Sequence, residues 1–103
     1  MVLIAALYPN DPGSSFDHDY YLQTHIPLVK ERWGPMGLED VRLLRGIHAP
    51  DGSPATYQVI ALLTFRSMQD FQQAAEAHAQ EVLGDIPNFT SVQPVLQVSE
   101  NLT

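Results

Sequence analysis

The chain has 103 residues, 45% hydrophobic and 17% charged, with 12 acidic side chains against 5 basic and a formal charge of −7. This is the composition of one folded domain of ordinary small size, residues 1-103, and the scattered basic residues Lys30, Arg32, Arg42, Arg45 and Arg66 argue against nucleic-acid or anionic-membrane partners. With no cysteine, the chain has no disulfide, no thiolate nucleophile and no cysteine-based zinc or iron–sulfur site.

Val2 to Tyr8 is an unbroken apolar run and reads as a strand buried on both faces. It lacks the basic start and small-residue cleavage site of a leader. No apolar run is long enough to span a membrane, and the reading is of a cytoplasmic protein. Asn10 to Ser15 is a turn-forming loop. A helix is predicted from about Asp17 to Trp33, stopped by Gly34-Pro35. Asp17 is its cap, Asp19 adds first-turn negative charge, and Phe16 can staple onto Tyr21. Tyr21, His25, Leu28 and Arg32 recur at helical spacing, which puts His25 on a partly apolar stripe. Pro27 removes a backbone donor and should bend or break the helix close to that imidazole.

Leu38 to Ile47 reads as a second strand, His48 to Pro54 as a hairpin loop, and Tyr57 to Phe65 as a third strand. In the third, Tyr57, Val59, Ala61, Leu63 and Phe65 share a face. Ser67-Met68-Gln69-Asp70 is close to a capping box. Met68, Phe71, Ala74, Ala75, His78 and Val82 then follow helical spacing to a stop at Gly84. Phe89 to Val98 reads as the last strand, where Pro94 suits an edge or a bulge.

The order β-α-β-β-α-β predicts a ferredoxin-like α+β sandwich, an antiparallel sheet with both helices on one face. The first and third strands carry little polar surface on either side, so the face without helices needs a cover.

His25 is the leading candidate for chemistry near neutral pH, against a structural role as a hydrogen-bonded core imidazole. Asp85 could hold one tautomer of such an imidazole, or cap its own turn. Tyr8, Tyr20, Tyr21 and Tyr57 are either packing residues or phenolic donors; Tyr21 is the one singled out. His78, at the edge of the second helix's apolar stripe, could line the same cleft or ligate haem, or be a surface histidine. The four histidines are spread out, and there is no phosphate loop, dinucleotide fingerprint or nucleophile elbow. Catalysis, if present, is expected to be cofactor-free proton transfer by a histidine helped by Asp or Tyr.

Tyr20-Tyr21-x-x-x-His25-x-Pro27-Leu28, preceded by Tyr8-Pro9, resembles the first motif of the EthD-like family. Asp85-Ile86-Pro87-Asn88-Phe89-Thr90 resembles its segment before the last strand. Gly37-Leu38, Tyr57 and Phe65-x-Ser67 fit between them in order. The resemblance implies a dimeric α+β barrel, two sheets packed face to face in a homodimer, with His25 directed into the cleft of each subunit. It implies a small apolar or aromatic ligand. The site expected from the residues and the resemblance together is His25, Asp85 and Tyr21, with His78, Asn88 and Tyr8 as binding residues. The activity the resemblance implies is that of a cofactor-free isomerase, cyclase or decarboxylase acting on a small lactone or aromatic compound. A non-catalytic accessory or ligand-carrying dimer for an oxidative degradation pathway, and a haem-handling monooxygenase, are the alternatives.

Overall fold

The computed structural model describes residues 1–103. Strands β1 (Val2–Pro9), β2 (Leu38–Arg45), β3 (Tyr57–Phe65) and β4 (Val95–Ser99) form one antiparallel sheet in the order β2-β3-β1-β4. Helices α1 (His18–Tyr20) and α2 (Ile26–Trp33) lie between β1 and β2, and α3 (Met68–Gly84) between β3 and β4. This is the ferredoxin-like α+β arrangement that the element order predicts.

Local chemistry sets the first helix. The Asp17 carboxylate accepts the Tyr20 N–H at 3.0 Å, and the Phe16 ring packs edge-on against Tyr21 at 5.0 Å. Between α1 and α2, residues Tyr21–His25 widen into a π turn, where the Ile26 N–H reaches back five residues to the Tyr21 carbonyl. Pro27 has no N–H to give, and its ring would crowd the Gln23 carbonyl in a regular helix, so the wider turn absorbs it without a break. The π turn shifts the helical phase by one residue. Tyr21 and His25, at its two ends, are buried, but Ile26, Val29 and Trp33 are buried after it, not the expected Leu28 and Arg32.

The helices cover one sheet face. Ile4, Ala61, Leu63 and Phe65 from that face pack with Val29 and Trp33 of α2 and Ala74 and Val82 of α3. Phe65, 0% exposed, is flanked by the rings of Trp33 at 5.7 Å and Phe71 at 5.3 Å. The Trp33 indole N–H donates to the Ala74 carbonyl at 2.9 Å, tying α2 to α3. At the start of α3, Ser67 accepts the Asp70 N–H at 3.0 Å. The reciprocal half of the capping box is missing, because the Asp70 carboxylate pairs with Arg66 at 2.6 Å instead.

Two strand boundaries differ from the sequence expectation. β2 ends at Arg45, and Ile47 is 85% exposed in the loop beyond it. β4 begins at Val95, six residues after the predicted start. Phe89, Thr90 and Val92 are instead buried. Their segment is bound to the loop before α1: the Phe89 carbonyl accepts the Asp17 N–H at 2.7 Å, and the Thr90 hydroxyl donates to the Ser15 carbonyl at 2.7 Å. Pro94 therefore precedes the strand and costs no ladder bond.

Leu96 and Val98 of β4 pair with Ala6 and Ile4, so they lie on the helix-covered face, yet Leu96 is still 51% exposed. The helix layer stops short of β4 and leaves a cleft along that edge. Trp33→Phe keeps an aromatic ring in the core and deletes the α2–α3 hydrogen bond, so urea denaturation should show a loss of about 1–2 kcal/mol. An unchanged midpoint would show that the bond does not stabilise the helix layer.

Candidate active site

The cleft encloses about 200 Å³ between the helices and the sheet. Its walls are almost wholly hydrocarbon, with Ile4, Ala6 and Leu63 on the sheet side and Trp33, Phe71 and Ala79 on the helix side. Three polar side chains join the lining: Tyr8 from β1, and Tyr21 and His25 from the π turn.

His25 is 4% exposed. Its ring lies parallel to Tyr21 at 5.6 Å and tilted on Phe89 at 4.6 Å. Its Nδ1 donates to Oδ2 of Asp85 at 2.9 Å. Asp85 closes α3 and opens the short 3-10 turn Ile86–Asn88, where its other oxygen accepts the Tyr20 hydroxyl at 2.7 Å and the Asn88 amide at 2.9 Å. Three donors from three places in the chain thus fix one carboxylate.

Burial and hydrogen bonding set the charge states. Burial pushes the Asp85 carboxyl up, but the hydrogen bonds from Asn88, Tyr20 and His25 together outweigh it and hold the group below its usual range. Burial pushes the His25 imidazole down, against the upward pull of Asp85. At neutral pH the carboxylate is ionised and the imidazole neutral. An ionised carboxylate only accepts, so the imidazole proton sits on Nδ1 and the Nε2 lone pair is free. Nε2 has no hydrogen-bond partner in the protein. Burial also raises the Tyr21 and Tyr8 hydroxyls, with a further contribution to Tyr21 from the neighbouring Tyr8, so both remain neutral phenols. This set can accept a proton at Nε2 and donate hydrogen bonds from phenols, inside an apolar enclosure.

Of the residues singled out from sequence, His25, Asp85 and Tyr21 come together, and Tyr8 joins the cleft wall. Asn88 stands behind Asp85 as its hydrogen-bond donor, outside the cleft lining. His78 is also outside the lining, with its side chain 33% exposed and 4.0 Å from Glu81. Tyr20 was not singled out, although it makes the shortest bond to Asp85. Nothing in its spacing marks it, since its role depends on where the 85–88 turn docks. No three His, Cys, Asp or Glu side chains come together as a metal site. No helix is long and apolar enough to cross a membrane.

Fold and cleft together define a ferredoxin-like α+β protein with a small apolar site guarded by a His–Asp pair. The EthD domain pattern matches residues 13–93, and the chain belongs to that family. It is similar to the crystal structure of an EthD-like protein from Ralstonia eutropha JMP134, at 33% identity and TM-score 0.90 over 99% of this chain and 92% of the other. Two more distant likenesses are of fold alone. One is a Bordetella bronchiseptica protein provisionally assigned as an antibiotic biosynthesis monooxygenase (12% identity, TM-score 0.66, 99% and 97% covered). The other is a dimeric ferredoxin-like protein from an uncultured marine organism (10%, 0.58, 100% and 96%). No curated protein matches the chain.

Both members of the pair act on stability in the same direction. Asp85 has a lowered value in the fold, so its contribution is complete above the ordinary carboxylate range and is lost as pH falls through the folded value. His25 lies below its ordinary 6.5, so below that pH the unfolded chain takes up a proton that the fold resists, and stability again falls. Melting temperature should therefore stay level from pH 8 to about 7, fall below the ordinary 6.5 of a histidine as the unfolded chain takes up its proton, and fall further below the ordinary carboxylate value of 3.8 through Asp85. His25→Gln should flatten the part of the curve near pH 6; an identical slope there would place the dependence on other groups.

Proposed function

We propose that this protein binds a small apolar compound in the helix–sheet cleft and moves a proton on it through His25, as a cofactor-free isomerase or cyclase. The observation that carries this reading is the imidazole held by Asp85 through Nδ1, with Nε2 left without a partner, on a residue that lines an apolar cleft. A neutral base of this kind, shielded from water, suits abstraction of a weakly acidic C–H and its return elsewhere on the same molecule. Asp85 acts as the positioning group, itself held by Tyr20 and Asn88. A haem reading rests on His78, and that residue's place beside Glu81, outside the cleft lining, gives it little support.

The working unit in this reading is a homodimer built through the open face of the sheet. Leu3, Ala5 and Leu7 of β1, Ile60 and Leu62 of β3, Leu44 of β2 and Val95 of β4 share that face, opposite the helices. Arg42, Thr64 and Gln97 share the same face around this apolar centre; the centre is costly in water and suits an interface on the order of 2,000 Å². The description of a fold neighbour as dimeric agrees with it. Light scattering should give twice the chain mass of 11.5 kDa. Ile60→Asp, at the middle of that face, should yield monomer or unfolded chain. A wild-type monomer at micromolar concentration would remove the dimer from the proposal.

Activity is tested by incubating the protein in deuterated water with a panel of small lactones and cyclic ketones and following C–H exchange by NMR. His25→Ala should lower the enzyme-dependent rate by about 10²–10⁴-fold at an unchanged dimer mass. Asp85→Asn should cost less, since the imidazole survives with its orientation loosened. Undiminished exchange in His25→Ala would move the chemistry elsewhere. Tight binding without exchange would favour the ligand-carrying reading.

A further inference from the structure

A second concave space of about 530 Å³ lies beside the cleft. Thr90, Ser91 and Gln93 line it together with Leu83, Ile86 and Leu96. The last three also line the cleft, so the two spaces meet where α3 and β4 part. Leu83 and Leu96 stand at that junction, 42% and 51% exposed. The outer space exists because β4 begins only at Val95. The segment before it is tied to the loop before α1 at three points. The Phe89 carbonyl accepts the Asp17 N–H at 2.7 Å, the Thr90 hydroxyl donates to the Ser15 carbonyl at 2.7 Å, and the Ser15 N–H donates to Ser91 Oγ at 3.0 Å. A shelf fixed before a ligand arrives needs little ordering when it binds.

The two spaces differ in chemistry. The cleft presents almost only hydrocarbon, and a polar group carried into it would lose its hydration without gaining a bond. The outer shelf has donors to spare. Its Thr90 hydroxyl is used within the protein, since it also accepts the Val92 N–H at 3.3 Å. Ser91 Oγ accepts the Ser15 N–H, which leaves its own hydrogen to donate. Gln93 is exposed and adds a carboxamide that both donates and accepts. No Lys, Arg, Asp or Glu lines either space, so a charged end would find no counter-ion. Size separates them as well. A dry cavity of about 150 Å³ holds a benzene, so the cleft, at about 200 Å³, takes one ring. That is less than the roughly 300–1,000 Å³ of an ordinary ligand pocket, a range that the two spaces reach together.

We propose that the two spaces form one divided site for an uncharged amphiphile. Its hydrocarbon end, the size of one ring, fills the cleft. A linker passes between Leu83 and Leu96 to a hydroxyl or amide end held by Ser91 and Gln93. This rests on the reading of the cleft as the ligand site, and adds the ligand's length, its lack of charge and the place of its polar end. The division accounts for the missing polar surface where the ligand is most enclosed. Buried hydrocarbon supplies the affinity there. Hydrogen bonds at the mouth, in reach of water, set the orientation without a deep desolvation cost. Ala79 of α3 is a small residue on the cleft wall, so the room for the ring depends on it.

Trp33 is the chain's one tryptophan and stands on the cleft wall, so its emission reports occupation. The ligands to titrate are toluene, butylbenzene, 4-phenylbutan-1-ol, 4-phenylbutanoate and 4-phenylbutylamine. Toluene, butylbenzene and the alcohol should each shift the emission. Ala79→Leu, which fills the cleft, should weaken all three by roughly tenfold or more. The alcohol should bind at least roughly tenfold tighter than either ion. The Ser91→Ala, Gln93→Ala double variant should weaken the alcohol roughly fivefold to tenfold and leave butylbenzene unchanged. Gln93→Ala alone, at an exposed side chain, should show part of that loss and guards against a folding defect in the double variant. Alcohol affinity unmoved by either variant, equal losses for alcohol and butylbenzene, or preference for an ion would overturn the divided site. So would alcohol binding that survives Ala79→Leu. If toluene binds and Ala79→Leu blocks it while the shelf variants change nothing, the cleft remains the ligand site and its division falls. If no ligand shifts the Trp33 emission, both fall.

Discussion

The Asp85 carboxylate is the point on which the site depends. It sits where α3 ends, and its donors arrive from α1, from the π turn and from the 3-10 turn just after it. Each bond from a neutral donor to a charged acceptor is stronger than a bond between neutral groups. Three of them compensate for bringing a carboxylate to the edge of an apolar core. One ion therefore does two things. It locks the N-terminal helix to the C-terminal turn, and it sets which imidazole nitrogen carries the proton. The same contact that joins distant parts of the chain leaves Nε2 as the free base.

The cleft exists where the two helices leave the edge strand β4 partly uncovered. α2 and α3 meet through Trp33 and Ala74 over β1 and β3, and β4 at the sheet edge is left partly bare. An enclosed, close-packed core would be more stable. Instead an apolar space remains beside His25, with the Tyr21 hydroxyl buried and unsatisfied next to it. Such departures from packing and hydrogen-bond consistency gather at functional sites, and here they gather in one place. On the opposite side of the sheet the departure is of another kind, an apolar face with no helix over it.

Much of this was legible in the sequence, for local reasons. Asp17 and Ser67 cap helices because their side chains serve N–H groups three residues on, and that needs no tertiary information. The alternation of Val59, Ala61, Leu63 and Phe65 fixed the inward face of β3, and the motifs around His25 and Asp85 named two side chains that the fold brings into contact. What was not legible depends on docking. Phe89 to Pro94 has the composition of a strand, but its backbone groups are taken by the loop before α1, a choice set by tertiary contact. Asn88 is expected at a ligand; that its amide donates to Asp85 depends on how the 85–88 turn folds. Tyr20 and Tyr21 are adjacent and alike in sequence; only the position of the 85–88 turn tells which grips the carboxylate and which lines the cleft.

The π turn is where local and tertiary demands meet. In a regular helix carrying Tyr21 and His25 inward, the later residues on that face are Leu28 and Arg32. Arg32 is bound instead to Glu81 on the surface, and the buried residues are Ile26, Val29 and Trp33. One inserted residue rotates the later turns by roughly 100° relative to the earlier ones. That lets one helix face present an aromatic–imidazole pair to the cleft while the next segment buries its apolar stripe on the sheet. A phase shift of this kind is invisible to a count of helical spacing, which assumes one period throughout. Pro27, two residues past the imidazole, is its one mark in the sequence. The residue that forbids a regular helical hydrogen bond is thus placed where the irregularity brings His25 and the Trp33 core onto compatible faces.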